Sequence, residues 1–294
     1  MFRRISSALL FLYFFGLSIA PAIGQTEGSW SLHWQPSHLI NGSPIIFQVT
    51  PPTHLKSLTS KWLDHEVYFA FDPHNKKWFG FAGVSLETKS GKYPMQLSGV
   101  TSKGTKISFA RQLAITRGEY TSIAVTVGKE FTQPDPEQLR KAVEDKTLKQ
   151  DVFSRVNPLR EWSGKFDPPV IARTSDVFGT QRTFNGEVQS THQGLDFAVP
   201  TGTPVAAVNS GTILVARPLF FEGNCVMLDH GQGLLSIYMH LSEFKVKEGE
   251  HVVRGQIIGL SGGTGRASGP HLHLAIRWEG LYLDPAILLK LKMP

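Results

Sequence analysis

Strand-length apolar or alternating runs, each closed off by turn residues, recur along almost the whole chain and leave little room for any architecture but a β-rich one. Between Trp30 and Val127 they are Pro44-Ile45-Ile46-Phe47-Gln48-Val49, Glu66-Val67-Tyr68-Phe69-Ala70-Phe71 and Trp78-Phe79-Gly80-Phe81-Ala82-Gly83-Val84. The series continues with Tyr93-Pro94-Met95-Gln96-Leu97, Lys106-Ile107-Ser108-Phe109-Ala110 and Ser122-Ile123-Ala124-Val125-Thr126-Val127. Asp72-Pro73-His74-Asn75 and Ser90-Gly91-Lys92 supply turns. This spacing predicts an immunoglobulin-like β-sandwich over residues 25–128. Trp30, Trp34, Trp62 and Trp78 are expected in its core rather than on a sugar-stacking surface. Residues 171–294 repeat the pattern with Gly-punctuated strands and no helical period before Pro285-Ala286-Ile287-Leu288, predicting an antiparallel sheet.

One stretch breaks the pattern. Asp135 is placed to cap a helix with Pro136 in its first turn, and Leu139, Val143, Leu148 and Val152 follow at roughly helical spacing. Asn157-Pro158 ends it. Residues 129–170 are therefore expected to be a helical and extended linker, whose end, Lys165 to Val170, lays one wall beside a groove.

The second β region carries the chemistry. His192-Gln193-Gly194-Leu195-Asp196, Tyr238-Met239-His240 and His271-Leu272-His273 fall within about 80 residues. A catalytic zinc takes three His, Asp or Glu ligands and keeps a fourth position open. Residues an even number apart on a strand share a face, so His271 with His273, and Tyr238 with His240, should point together. His192 and Asp196 would be roughly 13 Å apart on a straight strand at about 3.3 Å per residue, too far for one ion. Gly194 permits the bend that closes the gap. His33, His38, His54, His65, His74, His230 and His251 lie outside such motifs and are expected to be ordinary core or surface residues.

From Thr191 to Asp284 the chain resembles the LytM/lysostaphin-type zinc metallopeptidases, which cut peptide bonds in peptidoglycan. The resemblance is carried by the three motifs together with Gly202-Thr203-Pro204-Val205, Asp229-His230-Gly231-Gln232-Gly233 and Gly255-Gln256-Ile257-Ile258-Gly259. Ser261-Gly262-Gly263-Thr264-Gly265, Ser268-Gly269-Pro270 and Asp284-Pro285 complete it. It implies that His192, Asp196 and His273 bind one Zn2+ per chain. His240 and His271 would then flank the attacking water, one as base and the other stabilising the oxyanion, with His271 favoured as the base. Where many relatives follow HLH with Phe-Glu, this chain has Leu274-Ala275, which should alter only the floor of the site. Arg182 lies where relatives often place an Arg near the cleft, so it is a candidate substrate contact, against the alternative of a solvated loop charge.

The remaining sequence sets the context. Met1-Phe2-Arg3-Arg4, an apolar run to about Ile19 and small residues at Ala22 and Gly24 read as a signal peptide over residues 1–24. The run is short for a membrane span, so an exported, periplasmic or wall-associated protein without a stable span after cleavage is expected. About 270 residues remain, enough for two cores. The formal charge of +6 becomes +4 on losing Arg3 and Arg4, a moderate balance that suits an anionic wall. No basic stripe interleaved with aromatics points to nucleic acid. Cys225, the single cysteine, excludes an intrachain disulfide and is expected to be a buried small apolar residue. The leading expectation is a zinc endopeptidase acting on stem peptides or cross-links of peptidoglycan. The alternatives are a catalytically inactive relative that binds the wall or activates an amidase; a wall carboxypeptidase, against which the lack of a Glu at position 271 argues; and a secreted endopeptidase acting on foreign protein or wall, which would use the same five residues. The N-terminal domain is expected to act as a spacer or lid, or else to recognise the wall or a wall-associated protein.

Overall fold

The computed structural model describes residues 29–294; the leader expected at 1–24 lies outside them. The architecture is mostly β, with one long helix and two principal antiparallel sheets. The N-terminal strands form one eight-strand path in the order Ser31–Gln35, Pro44–Thr50, Lys77–Gly83, His65–Asp72, Leu55–Trp62, Gly91–Thr101, Lys106–Thr116 and Leu39–Ile40. His65–Asp72 folds this path into two layers, because its first half pairs with Leu55–Trp62 and its second half with Lys77–Gly83. Phe47, Trp62, Met95, Leu97, Leu113 and Ile115 fill the space between the layers. Trp62 and Trp78 are buried there, and Trp30 and Trp34 pack against the cluster from its rim.

Ser122–Val125 does not continue this domain. It pairs in parallel with Gln181–Phe184, which also pairs with Val188–Thr191. The exit is fixed by Tyr120, whose hydroxyl donates to the Asn41 carbonyl at 2.6 Å while its ring lies against Gly179, where an added Cβ would come within 2.0 Å of it. Alternation marked this run as a strand, but alternation carries no information about which edge a strand joins.

The C-terminal sheet runs in the order Thr174–Asp176, Leu195–Phe197, Leu272–Trp278, Leu234–Leu241, Gly223–Asp229, Gly211–Leu219 and His251–Val252. Its central strands are apolar on both faces, so both must be covered. Val226, Leu228, Tyr238, Leu274 and Ile276 face a core continuous with the N-terminal domain. Across that junction Phe81 meets the rings of Trp162 and Trp278 at 6.5 and 6.3 Å, and Asp284 donates its N–H to the Gly42 carbonyl at 2.8 Å. On the other face, Cys225, Met227, Ile237 and Ala275 cluster with Val152 of the helix Pro136–Ser154. That helix starts as its sequence dictates: Asp135 accepts from the Gln138 N–H, and the Gln138 side chain accepts from the Asp135 N–H. It covers the sheet rather than merely spanning a gap. Asp145 accepts from the Phe220 N–H at 2.6 Å, Lys149 pairs with Glu222, and Arg277 lies 3.8 Å over the Phe153 ring.

Lys165 to Val170 was expected to wall the groove, but it joins the core instead. Phe166 is buried against His230, Asp167 donates its N–H to Val208 and Pro169 accepts from Ala206. Apolar Phe166 and Val170 draw this extended segment inward.

His230 is fully buried, with Nδ1 2.7 Å from the Ser210 carbonyl and Nε2 2.8 Å from Ser236 Oγ; the chain of contacts continues through the Tyr238 hydroxyl to the Val208 N–H. Burial pulls its pKa down from 6.5 to about 4. An unfolded His230 takes up a proton below pH 6.5 while the folded one does not, so this term is absent at neutral pH and destabilises as pH falls toward 4. Urea midpoints of the wild type and of His230→Gln should converge on acidification, the wild type losing about 3 kcal/mol more between pH 7 and pH 4; parallel pH profiles would contradict the assignment.

Candidate metal centre and groove

Asp196 and His273 sit directly opposite each other on the antiparallel strands Leu195–Phe197 and Leu272–Trp278, which brings a carboxylate and an imidazole together by register alone. His273 Nδ1 is 2.8 Å from Asp196 Oδ1. His192 arrives from the loop before, held by its N–H on the Thr180 carbonyl, and places Nε2 3.1 Å from Asp196 Oδ1 and 3.0 Å from His273 Nδ1. All three side chains are buried, and this is the only His/Cys/Asp/Glu cluster among the described residues compact enough to hold a metal ion. Gly194 has an ordinary negative φ, so its role lies in close approach: a Cβ there would fall 2.4 Å from His273 Nε2 and 2.5 Å from the Leu274 carbonyl oxygen.

The surroundings fit a divalent ion of the zinc type. Two imidazole nitrogens and a carboxylate oxygen are the donors zinc favours, and tetrahedral bonds of about 2.0–2.1 Å bring donors to within a few ångströms of one another. The outer partners fix their orientation. His192 Nδ1 lies 2.7 Å from the Val177 carbonyl, so Nε2 is the free nitrogen. Arg182 donates to Asp196 Oδ2 at 2.5 Å and, through Nε and Nη2, to Asp176 Oδ2 at 2.8 and 2.5 Å. Burial acts to raise the Asp196 pKa, but hydrogen bonds and charge from His192 and His273 outweigh it and hold the carboxyl well below the usual range.

The other two histidines meet at the edge of this cluster. The His240 and His271 rings are 4.8 Å apart, and His271 Nε2 is 3.9 Å from Asp196 Oδ1. Each is held at Nδ1 by a backbone carbonyl, Thr264 for His240 and Gly269 for His271, both at 2.8 Å. Burial, reinforced by charge at His271 and His273, lowers the His240 pKa to about 3. Tyr238 and His240 do not share a face as strand alternation predicted. A bulge between Asn224 and Val226 and a left-handed φ of 64° at His240 turn its ring toward the groove beside Met239, while Tyr238 points into the core. The remaining histidines lie elsewhere: His65 against Trp278, His38 on Thr116, His251 near Glu161.

Two cavities of about 300 and 500 Å³ flank the cluster and share Arg182, Phe184 and Arg266. The smaller holds His240 and runs toward Lys149, Ala275 and Tyr282. The larger holds His271 and is walled by residues 123–127, the strand that left the N-terminal domain. Arg182 is thus neither free nor a solvated loop charge; its guanidinium is tied to two carboxylates. Asp176 and the carbonyls of Val177, Thr264 and Gly269 were not singled out from the sequence. No motif marks them, and only the register that sets Asp176 opposite Asp196 reveals the first.

Residues 190–285 match the model of peptidase family M23. The chain is similar to the peptidoglycan DD-endopeptidase ShyA of Vibrio cholerae, 44% identical over 137 residues, which cover 45% of this chain and 28% of that protein. It is also similar to the DD-carboxypeptidase/endopeptidase Mpg of Neisseria meningitidis, 39% identical over 128 residues, 43% of this chain and 30% of the relative. The chain therefore spans about three tenths of the length of these curated relatives. Among solved structures, a putative peptidase M23 from Pseudomonas aeruginosa superimposes with a TM-score of 0.64 at 27% identity, covering 85% of this chain and 94% of that one, so the likeness extends beyond the matched domain into the N-terminal half.

Because a Cβ at position 194 collides with backbone as well as with His273, Gly194→Ala should weaken zinc binding at least tenfold in a chelator competition while leaving the far-ultraviolet spectrum unchanged. Wild-type affinity in the variant would exclude the close approach as a determinant of the site.

Proposed function

We propose that this chain, whose residues 190–285 match the peptidase family M23 model, is an exported zinc endopeptidase that hydrolyses peptide bonds in peptidoglycan, in stem peptides or their cross-links. The observation that carries this reading is the buried His192–Asp196–His273 donor set with two further imidazoles aimed at its open side, in a groove. The name of the Vibrio cholerae relative supports the substrate.

His192, Asp196 and His273 are the proposed metal ligands. A zinc ion held by these three residues would supply Lewis acidity, the kind that can lower the pKa of a water to about 7. His240 and His271 divide the proton work. Both donate from Nδ1 to backbone carbonyls when neutral, which leaves Nε2 of each as an acceptor facing the groove. The base must carry a positive charge once it has taken the proton. His271 is the more exposed of the two, whereas burial opposes charging His240, so His271 is assigned as general base. The imidazolium formed at His271 then returns its Nε2 proton to the leaving nitrogen as the C–N bond breaks. His240 remains neutral and orients the attacking water through its Nε2. Arg182 holds Asp196 in place through Oδ2, which supports a positioning role rather than direct contact with the scissile bond.

Purified protein loaded with zinc and incubated with sacculi should convert cross-linked muropeptides to smaller fragments, read by mass spectrometry, and His192→Ala should not; equal profiles from the two would sink the hydrolase reading. His271→Ala should keep its zinc and lose about 10²–10⁴ in kcat, the range for removing a general base. A loss of zinc in step with activity would instead make His271 a ligand.

A further inference from the structure

The cations along the groove differ in one respect. Arg182 is paired with Asp176 and Asp196, and Lys149 with Glu222. Among the described residues, no carboxylate oxygen comes within ion-pair distance of the Arg266 guanidinium, and its side chain donates no hydrogen bond to protein. The guanidinium lies between two aromatic faces instead, its central carbon 4.6 Å from the Phe184 centroid and 4.8 Å from that of Phe221. Those faces stabilise the charge and shed water from it, but they leave its fork of N–H donors unused. Burial lowers its pKa and outweighs the charge of Glu222, a carboxylate that shares the smaller cavity but forms no ion pair with it.

Its place is fixed by backbone. Arg266 donates its N–H to the Phe221 carbonyl at 2.8 Å, and Gly265, at φ 71°, packs so closely on Gly223 that a Cβ would lie 2.2 Å from the Gly223 nitrogen. The same loop offers the Thr264 carbonyl to His240 and the Gly269 carbonyl to His271. Arg266 is therefore held in register with both histidines, and it lines both cavities that meet at the metal cluster. In the larger cavity the exposed Arg173 adds a second cation, also without a carboxylate partner among the described residues.

We propose that Arg266 forms a carboxylate-binding subsite beside the scissile bond, so that the groove selects an extended peptide bearing a free carboxylate close to the bond that is cut. This deepens the reading of the site as a hydrolase of wall peptides and rests on it. The planar fork meets a carboxylate with two parallel hydrogen bonds in a setting where the Phe184 and Phe221 rings exclude water. Arg173 lies farther toward solvent and steers the same charge inward.

The test uses cross-linked muropeptides and the same material with its carboxylates converted to carboxamides by carbodiimide and ammonia. Zinc-loaded wild type should cleave the carboxylate form with kcat/KM at least tenfold higher, the difference lying in KM. In Arg266→Gln, with zinc content unchanged, the two forms should be cut at rates within about twofold of each other, and Arg266→Lys should recover part of the preference because it keeps the charge without the fork. Calorimetry of wild type with the monomeric product and its amidated counterpart gives the same comparison without turnover. A wild type that neither cuts nor binds the carboxylate form preferentially overturns the proposal, as does a preference that survives in Arg266→Gln. Differential binding without cleavage would uphold the subsite and sink the hydrolase reading, so the two fail separately.

Discussion

Everything in the groove hangs on a carboxylate and an imidazole facing each other across two antiparallel strands. Asp196 and His273 are neighbours because Leu195–Phe197 and Leu272–Trp278 pair in one register, and a slip of one residue would turn both to the other face. That face is closed by the core, so the register is enforced by Leu195, Phe197, Leu272 and Leu274, all buried on the side away from the Asp196 and His273 side chains. Packing thus sets the chemistry. His192 completes the set from a loop, which is why it needs Val177, Thr180 and the missing side chain at Gly194 to hold it.

The second constraint is electrostatic. Buried Asp196 would be costly alone, and it is surrounded by two imidazoles and the Arg182 guanidinium, which is itself shared with Asp176. The ion-pair network links Asp196 through Arg182 to the strand Gln181–Phe184, and that strand pairs with Ser122–Val125. A continuous path of ion pairs and strand pairing therefore runs from the His/Asp cluster to a segment that precedes the matched family domain.

Much of this was legible in the sequence. The strand runs, the capped helix at Asp135 and the three His/Asp motifs are local patterns, and local patterns survive in the fold. What could not be read were relations between distant residues. Ser122–Val125 looked like one more strand of its domain and joined another; Lys165 to Val170 looked like a groove wall and carried Phe166 into the core. Tyr238 and His240 parted because of one left-handed residue and a bulge, neither of which leaves a mark on alternation. The backbone carbonyls that aim His192, His240 and His271 have no residue identity to find, and nothing in the Gly-rich loop around Arg266 marks it, because the aromatic neighbours that flank it, Phe184 and Phe221, are distant in sequence.

The strand that crosses from one half of the chain to the other gives the molecule a particular kind of indivisibility. A peptidase whose groove is built wholly from its own domain can be moved between proteins as a cassette, its selectivity travelling with it. Here the wall at 123–127 is anchored at one end by Tyr120 on Asn41 and at the other by Asn185 on Val127. The larger cavity is in that sense a property of the joint, and recombining the two halves would keep the His192–Asp196–His273 cluster while replacing one wall of the space beside it.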